Sequence, residues 1–243
     1  MRDKINTLRR WIEEAEYAVA FTGAGVSTDS GLTDFRGAAG VYTTGNRYNV
    51  PAESILSPDF YHSRPEDFFD FYRTRLLDLS ARSNYIHFAM ADMEKKGKLR
   101  CVITQNADNL HQEAGSQNVI DFHGNVHINH CENCGKSYPA EAVADSSGIP
   151  RCDCGGVIRP GILLFGEIPD MKKVMDLTKE LRRSDLLIVA GSSLKVSSAH
   201  RLLKNYKGRL VILNLDPTPY DERADMVING YLGPIFRELW PME

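Results

Sequence analysis

The sequence has 243 residues, a length that fits one large domain or one domain with a small insert. Its content of 42% hydrophobic and 25% charged residues is ordinary for a soluble globular protein. A net charge of −3 gives no electrostatic footprint for nucleic acid or an anionic membrane. No apolar run approaches the roughly 20 residues that span a bilayer. From the net charge and the short apolar runs together, we expect neither direct nucleic-acid binding nor membrane binding.

The N-terminal segment, residues 1–15, is charged throughout and lacks the apolar core of a signal peptide. Leu8, Trp11, Ile12 and Ala15 recur at helical spacing, which predicts an amphipathic helix docked on the body. Five cysteines without a secretory signal favour a reducing compartment. We therefore expect a cytoplasmic protein whose cysteines serve metal binding or catalysis.

Short apolar runs recur along the chain, with helical or loop material between them. Most of them lack strict alternation, which is typical of strands buried on both faces. The predicted strands are Ala18–Thr22, Cys101–Thr104, Val119–Phe122, Leu186–Ala190, Leu210–Leu213 and Met226–Ile228. Strands that alternate with helices predict an α/β fold with a doubly wound, Rossmann-like parallel sheet. Such a sheet binds its ligands outside the carboxyl ends of the strands.

The first predicted strand runs directly into a glycine-rich, polar segment, residues 23–37, with the sequence GAGVSTDSGLTDFRG. Such a turn lets the backbone approach a phosphate closely, with bare N–H groups pointing at it. The dinucleotide fingerprint G-x-G-x-x-G is only partly met, because Thr28 stands where the third glycine is expected. The hydroxyls, carboxylates, aromatic ring and arginine after Gly25 favour a loop that folds over a ligand.

Polar or glycine-rich clusters follow four further predicted strands. They are Gln105–Asp108, His123–Gly124, Gly191–Ser193 and Asn214–Asp216. Taken alone, Asn106 and Asp108 are as compatible with helix caps as with ligand binding. His123 is followed by glycine at the end of a predicted parallel strand, where α/β enzymes place working groups.

Two segments interrupt the alternation of strands and helices. Residues 37–58 are rich in Gly, Thr, Asn and Pro, which predicts a mobile loop, and an aromatic, charged helix is predicted from Pro65 to Leu79. Residues 126–159 contain four of the five cysteines. The predicted organisation is a Rossmann-like domain of residues 1–125 and 160–243, with an insert at about 38–80 that forms a cofactor loop and helical module, and a zinc-binding module of residues 126–159.

The four clustered cysteines form a CxxC pair and a CxC pair, Cys131 with Cys134 and Cys152 with Cys154. Seventeen residues separate the pairs, and each pair is followed by glycine, which helps backbone N–H groups to face the sulfurs. The pattern predicts one structural Zn²⁺. The short CxC pair leaves open that His127 or His130 replaces one thiolate. Cys101, in a predicted strand, is interpreted as a small buried hydrophobe.

These motifs together resemble those of the sirtuins, the family of NAD-dependent protein deacylases, and of its bacterial type. Seven segments carry the resemblance in the family's order: GAGVSTDSGLTDFRG, TQNADNLH, FHGN, the CxxC…CxC module, RPGILLFGE, GSSLKVS and LNLDPTPYD. They cover nearly the whole chain, from about Trp11 to Leu239.

The resemblance implies an NAD site, position by position. The residues implied at the nicotinamide and ribose end are Ala24, Ser27, Asp34, Phe35 and Arg36, in the turn that holds Gly23 and Gly25. Gln105, Asn106 and Asp108 are implied to hold the nicotinamide ribose and carboxamide, and Asn106 also to position water. His123 is implied to be the general base acting on ribose hydroxyls. The residues implied at the adenosine half are Gly191, Ser192, Ser193, Asn214 and Asp216.

The resemblance also implies acylated lysine in protein substrates as the partner. By this resemblance, the substrate backbone is expected beside Phe165, Gly166 and Glu167, in the manner of strand addition. Tyr72 and Arg75 are spaced i, i+3 and share a helix face. In some sirtuins such a Tyr-x-x-Arg pair grips the carboxylate of succinyl- or malonyl-lysine. The alternative is a packed tyrosine beside a solvated arginine, and the adjacent Arg73 leaves the register open.

The implied reaction is NAD-dependent removal of an acetyl group, or of a succinyl or malonyl group, from lysine. Its products are free lysine, nicotinamide and O-acyl-ADP-ribose. Protein mono-ADP-ribosyl transfer and a catalytically idle NAD- and zinc-binding module are the alternatives, and the joint presence of Asn106, Asp108 and His123 favours the deacylase. Three positions depart from the family pattern: Thr33 and Ser198 replace prolines, and Ala107 replaces an isoleucine.

Overall fold

The computed structural model describes residues 1–34, 40–41, 47–195 and 203–242. Its strands are β1 Ala18–Thr22, β2 Cys101–Thr104, β3 Val119–Asp121, β4 Asn129–Cys131, β5 Ser137–Tyr138, β6 Ile158–Arg159, β7 Leu186–Ala190, β8 Arg209–Asn214 and β9 Met226–Asn229. Six of them form one sheet in the order β3-β2-β1-β7-β8-β9, and every pairing in it is parallel. This is the doubly wound order that the sequence predicts.

The strand predictions agree closely with this sheet. β1, β2 and β7 match the predicted bounds, β3 and β9 differ from them by one residue at one end, and β8 is longer by one residue at each end. In β1, β2 and β7 every residue is buried, as expected for strands covered on both faces.

The helices are α1 Arg2–Glu14, α2 Ala52–Ile55, α3 Pro58–Ser63, α4 Pro65–Arg75, α5 Tyr85–Lys95, α6 Leu110–Glu113, α7 Glu141–Ala144, α8 Met171–Arg183 and α9 Leu232–Leu239. The predicted N-terminal helix is confirmed as α1, which buries Ile5, Leu8 and Ile12. With α5 and α9 it covers one face of the sheet, while α8 covers the other. Within the described ranges, no helix has the length and apolar character needed to cross a membrane.

Two predictions for the insert are wrong, one about where a helix ends and one about a loop. The helix predicted from Pro65 to Leu79 ends at Arg75, because the N–H groups of Leu76 and Leu77 both turn onto the Tyr72 carbonyl. The segment predicted as a mobile loop, residues 37–58, contains α2, which buries Ala52 and Ile55. Residues 37–39 and 42–46 of that segment lie outside the described ranges.

The cysteine-rich segment and the helical insert share one hydrophobic core. β4 pairs with β5 and β6 in a small antiparallel sheet. Aromatic residues of α3 and α4 pack against residues of this sheet and of α7. Members of this core include Tyr61, Phe68, Phe69, Phe71, Tyr72, Val143 and Ile158. The two segments, far apart in the chain, therefore form one lobe beside the six-stranded sheet.

Candidate functional site

The first glycine-rich turn packs against the loop that follows β7. The Gly23 N–H group donates to the Ala190 carbonyl (3.1 Å), and the Gly25 N–H group donates to the Gly191 carbonyl (2.9 Å). A Cβ atom on Gly25 would lie 2.7 Å from the Gly191 Cα atom, so only glycine allows this approach. The expectation of bare N–H groups is therefore wrong for Gly23 and Gly25, because theirs join the two loops. The loops meet between β1 and β7, where the strand order reverses and doubly wound sheets bind ligands.

Three side chains that follow β1 and β2 form one hydrogen-bonded cluster. The Ser27 hydroxyl donates to Asp108 Oδ2 (2.6 Å), and the Asn106 side-chain amide donates to Ser27 Oγ (3.0 Å). Asp108 Oδ1 also accepts from the Leu110 N–H group (3.1 Å). Burial raises the pKa of Asp108, and these two donors oppose that effect. The structure thus brings together residues predicted from two separate motifs.

Two buried histidines, His87 and His111, lie beside this cluster, and neither is among the site residues predicted from the sequence. Their ring centroids are 4.7 Å apart. The Asn84 N–H group donates to His87 Nδ1 (3.2 Å), so the ring proton is on Nε2, which lies 3.5 Å from Ser27 Oγ. His111 Nε2 lies 3.0 Å from Thr22 Oγ1. Burial lowers the pKa of His87 to about 4 and holds the pKa of His111 well below its ordinary value. Both rings are therefore neutral at pH 7.

His123 is oriented by its Nδ1 atom, which lies 3.1 Å from the Gln105 carbonyl oxygen. A carbonyl can only accept, so Nδ1 carries the proton and the lone pair is on Nε2. The Leu163 N–H group donates to the His123 carbonyl (2.8 Å) and holds the backbone. Burial, the largest cause, lowers the pKa of His123. A neutral imidazole with a fixed tautomer is suited to accept a proton.

The residues predicted for the adenosine half lie at the carboxyl ends of β7 and β8. The Ser192 hydroxyl donates to Gln105 Oε1 (2.7 Å), which ties the loop after β7 to the loop after β2. Ser193 follows, half-buried. The Asn214 side chain ends β8 and donates to the Asp216 carbonyl (2.7 Å), and Asp216 itself is exposed. These groups share the edge of the sheet with the cluster around Asp108.

A cavity of about 220 Å³ opens beside the Ser27 and Asp108 cluster. Its wall includes Ala24, Thr33, Tyr72, Arg75, Ala107 and Val126. Two of the three departures, Thr33 and Ala107, therefore face the same space. The Tyr72 hydroxyl is buried and has no hydrogen-bond partner among the described residues, and burial raises its pKa above the usual range.

The sequence left open which arginine of α4 shares a face with Tyr72, and the structure distinguishes Arg73 from Arg75. Arg75 lines the cavity. Arg73 Nη1 instead donates to Ser146 Oγ (3.2 Å), and the Arg73 guanidinium lies 6.0 Å from the centroid of the Phe69 ring. Arg73 thus packs on the cysteine-rich lobe, and the Tyr72 and Arg75 pair shares one cavity.

The loop predicted to lie beside a substrate backbone is held by contacts with the C-terminal end of α2, with β6 and within the loop itself. The Phe165 N–H group donates to the Leu56 carbonyl (2.8 Å), and the ring is 40% exposed. Gly166 has φ +94°, a conformation that favours glycine. The Glu167 carboxylate accepts from Arg159 (2.5 Å) and from the Leu164 N–H group (2.8 Å). Glu167 therefore shapes the loop, while Phe165 presents the exposed surface.

The four cysteine sulfurs lie within 4.8 Å of one another. Cys131 Sγ is 3.4 Å from Cys154 Sγ, and Cys134 Sγ is 3.6 Å from Cys152 Sγ. A tetrahedral zinc with Zn–S bonds of about 2.3 Å sets its sulfurs about 3.8 Å apart, so the cluster is positioned to hold a zinc ion.

Backbone N–H groups lower the pKa of Cys131 and of Cys152 and so support the thiolate form of these two cysteines. The pKa of Cys152 is lowered to about 6. The largest cause is the hydrogen bond from the Cys154 N–H group, and the second is the hydrogen bond that the Tyr138 hydroxyl donates to Cys152 Sγ (3.0 Å). His127 and His130 are exposed and do not belong to the metal-ligand cluster found among the described residues. The geometry therefore favours the four cysteines as the ligand set that the sequence left open.

Some predicted positions lie outside the described residues: Phe35, Arg36 and Ser198. The adjacent Asp34 is described, and its carbonyl accepts from the Val41 N–H group (2.8 Å). Of the residues that sequence reasoning missed, His87 stands three residues after Asn84 in a capping box. That pattern signals a helix start, but it does not signal the contact with Ser27.

Comparisons with known proteins agree with this geometry. A family model described as the Sir2 family matches residues 23–198. The NAD-dependent protein deacetylase of Cutibacterium acnes is 47% identical over 227 residues, which are 93% of each chain. A solved structure of a Sir2 histidine-to-alanine variant with a deacetylated p53 peptide and 3′-O-acetyl-ADP-ribose superposes with a TM-score of 0.89 at 37% identity, covering 97% of this chain and 96% of that one. A structure of Sir2Tm bound to a propionylated peptide gives 0.86 at 36% identity, with 97% of each chain covered.

Proposed function

The chain belongs to the Sir2 family and is an NAD-dependent protein deacetylase, and we propose that His123 is its general base and that the acyl group leaves on ADP-ribose. The proposed products are free lysine, nicotinamide and O-acyl-ADP-ribose. The observation that carries the proposal is the His123 Nδ1 contact with the Gln105 carbonyl, because it leaves the basic lone pair on Nε2. The acetyl-ADP-ribose bound in the related structure supports the same product class.

The groups at the sheet edge suit the parts of NAD. When bound, NAD supplies a ribose carbon that becomes electrophilic as nicotinamide leaves. Asp108 and Asn106 present a carboxylate and an amide beside the 220 Å³ cavity, and these complement the two halves of a carboxamide. Ser192, Asn214 and Asp216 offer hydroxyl, amide and carboxylate groups at the ends of β7 and β8 for the adenosine half.

In the proposed mechanism His123 Nε2 takes a proton from a ribose hydroxyl. The Gln105 carbonyl accepts from Nδ1–H and stabilises the charge that the ring then carries. Because burial lowers the pKa of His123, the imidazole is ready to accept that proton at neutral pH. Bound NAD would supply this hydroxyl, and its ribose carbon would bond to the acyl oxygen as nicotinamide leaves, so that one water completes the release of free lysine and O-acyl-ADP-ribose.

The zinc has a structural role in this proposal. Four thiolates fill a tetrahedral sphere and leave no position for a catalytic water. The ion would join β4 to the turn at residues 152–154, next to the core that the lobe shares with α4. Thiolate ligands need a reducing compartment, which supports a cytoplasmic location.

The acyl preference is a finer proposal that rests on Tyr72 and Arg75. A buried hydroxyl with no described partner and a guanidinium line one cavity, and together they can bind a carboxylate. We therefore extend the proposed substrates from acetyl-lysine to succinyl- and malonyl-lysine. The propionylated peptide, which carries an uncharged acyl group, is bound in a related structure and not in this one.

The test is mass-spectrometric turnover of matched acetyl- and succinyl-lysine peptides, with and without NAD. We expect NAD-dependent release of the free lysine peptide together with O-acyl-ADP-ribose. Mass added to protein while NAD is consumed would point instead to mono-ADP-ribosyl transfer. An absence of NAD consumption with every peptide would leave an idle binding module.

A further inference from the structure

Lys173 connects α8 to the loop that carries His123. Its Nζ atom donates to the Asp121 carbonyl (2.7 Å), a contact between residues 52 positions apart. The side chain is half-buried and lines a cleft of about 480 Å³ together with Phe122 and Gly124, the two neighbours of His123. Nothing in the motif pattern around Lys173 predicts this contact.

We propose that Lys173 is a positioning residue for His123: its ammonium group anchors the loop that carries the ring and places a positive charge at the Asp121 carbonyl, two residues before His123. The inference rests on the proposed role of His123 as the general base. In this proposal the first turn of α8 helps to position the His123 ring.

The anchoring part of the proposal follows from how Asp121 is held. Its carboxylate accepts two hydrogen bonds from the Gln112 side chain (2.8 and 2.9 Å) and one from Asn125 (3.0 Å). Its carbonyl accepts from Lys173. Asp121 is therefore fixed at both its side chain and its backbone, and His123 follows two residues later. The same carbonyl also accepts from the Gly124 N–H group (3.1 Å), so loss of the Lys173 contact leaves that turn in place and removes the link to α8.

The electrostatic part follows from the charges around the loop. On the neighbouring segment, Arg159 and Glu167 neutralise each other at 2.5 Å. At the start of α8, the Asp170 carboxylate caps the helix by accepting from the Lys172 N–H group (2.8 Å). The Lys173 ammonium donates to a neutral carbonyl, so this contact does not neutralise its charge.

The acidic groups near His123 are themselves held by donors. Asp121 is bonded to two side-chain amides, and Asp108 is bonded to Ser27. Burial is the largest cause that lowers the pKa of His123; the Lys173 charge adds to it, and the contact with the Gln105 carbonyl opposes it. A like charge disfavours the imidazolium form, which is the form that cannot act as a base.

The experiment compares Lys173→Met, which removes the charge and the donor, with Lys173→Arg, which keeps both. Lys172→Met is the matched control, because Lys172 is an exposed lysine on the same helical turn. The zinc-loaded full chain is used throughout. The ¹H–¹³C NMR titration of the His123 ring, assigned with His123→Gln, gives its pKa directly. The pH profile of kcat/KM is measured in parallel.

We expect Lys173→Met to raise both the His123 titration midpoint and the acid limb of kcat/KM by about half a pH unit. Lys173→Arg should restore both, and Lys172→Met should follow the wild type. A His123 titration that Lys173→Met leaves unchanged, or that Lys172→Met moves equally, overturns the inference. A shifted titration with an unshifted rate profile supports the coupling and instead counts against His123 as the base.

Discussion

The Ser27 hydroxyl donates a 2.6 Å hydrogen bond to Asp108 Oδ2 and joins two turns that are 81 residues apart in the chain. Ser27 Oγ also accepts from Asn106 and lies 3.5 Å from His87 Nε2. The orientation of the Asp108 carboxylate therefore depends on a residue of the first glycine-rich turn. The cluster can respond as a unit when any of its members is changed.

Ser27→Ala tests this dependence. The buried Asp108 carboxylate would lose a charge-assisted donor, so we expect kcat/KM for NAD to fall about 10- to 100-fold. The pKa of Asp108, already raised by burial, should rise further, which moves the acid limb of the pH profile upward. Thr28→Ala is the control, since the Thr28 hydroxyl is exposed and donates to the Gly25 carbonyl. Equal effects of the two substitutions would contradict the account.

The buried His87 predicts a pH dependence of stability. Its folded-state pKa of about 4 lies below the value of about 6.5 for an unfolded chain, so protons bind preferentially to the unfolded state between these values. The stabilisation is present above pH 6.5 and is lost as the pH falls toward 4. Between pH 7.5 and pH 5 this loss is about 2 kcal/mol.

Urea unfolding of the wild type and of His87→Gln at those two pH values measures that loss. The free energy of unfolding should depend less on pH in His87→Gln, by about 2 kcal/mol, because the glutamine does not titrate. His130→Gln, at an exposed position, serves as the control and should keep the wild-type dependence. An unchanged pH dependence in His87→Gln would show that His87 is not held neutral.

The zinc site predicts one metal ion per chain. Metal analysis of Cys134→Ala should show loss of the zinc, and the free energy of unfolding should fall by several kcal/mol, because binding is coupled to folding of the lobe. Cys101→Ala is the matched cysteine control, as Cys101 is buried in β2 outside the cluster. Active wild-type protein with a zinc stoichiometry near zero would refute the prediction.

The Tyr72 and Arg75 cavity predicts an acyl preference. Arg75→Met should lower kcat/KM for a succinyl-lysine peptide about 10-fold or more, with little effect on the acetyl-lysine peptide, because only the former carries a carboxylate. Arg73→Met removes a neighbouring charge that contacts Ser146 instead, and should leave the ratio of the two substrates unchanged. Equal losses on both peptides would indicate that Arg75 has no role in acyl selection.

The sheet and the clustering of the four cysteines could be predicted from the sequence because their signals are local. Apolar β-branched runs mark strands buried on both faces, and paired cysteines mark a ribbon whatever surrounds it. The ends of the helices in the insert could not be predicted from the sequence in this way. α4 stops at Arg75 because two N–H groups converge on the Tyr72 carbonyl, and no residue type in Leu76 or Leu77 announces that turn.

The supporting residues of the site were beyond sequence reasoning for a different reason. His87 and Lys173 act through contacts with Ser27 and Asp121, and these pairs become neighbours only after the sheet has assembled. Gly25 shows the same limit. Its motif suggested phosphate contacts through bare N–H groups, but its own N–H group is used to bind the β7 loop.

The central claim is tested most directly by the deacetylation rate of His123→Ala, measured beside NAD binding by the same protein. We predict a loss of about 10²- to 10⁴-fold in kcat, the range typical of a general base, with NAD affinity retained. Near-normal turnover in this variant would contradict the account and remove His123 from the mechanism.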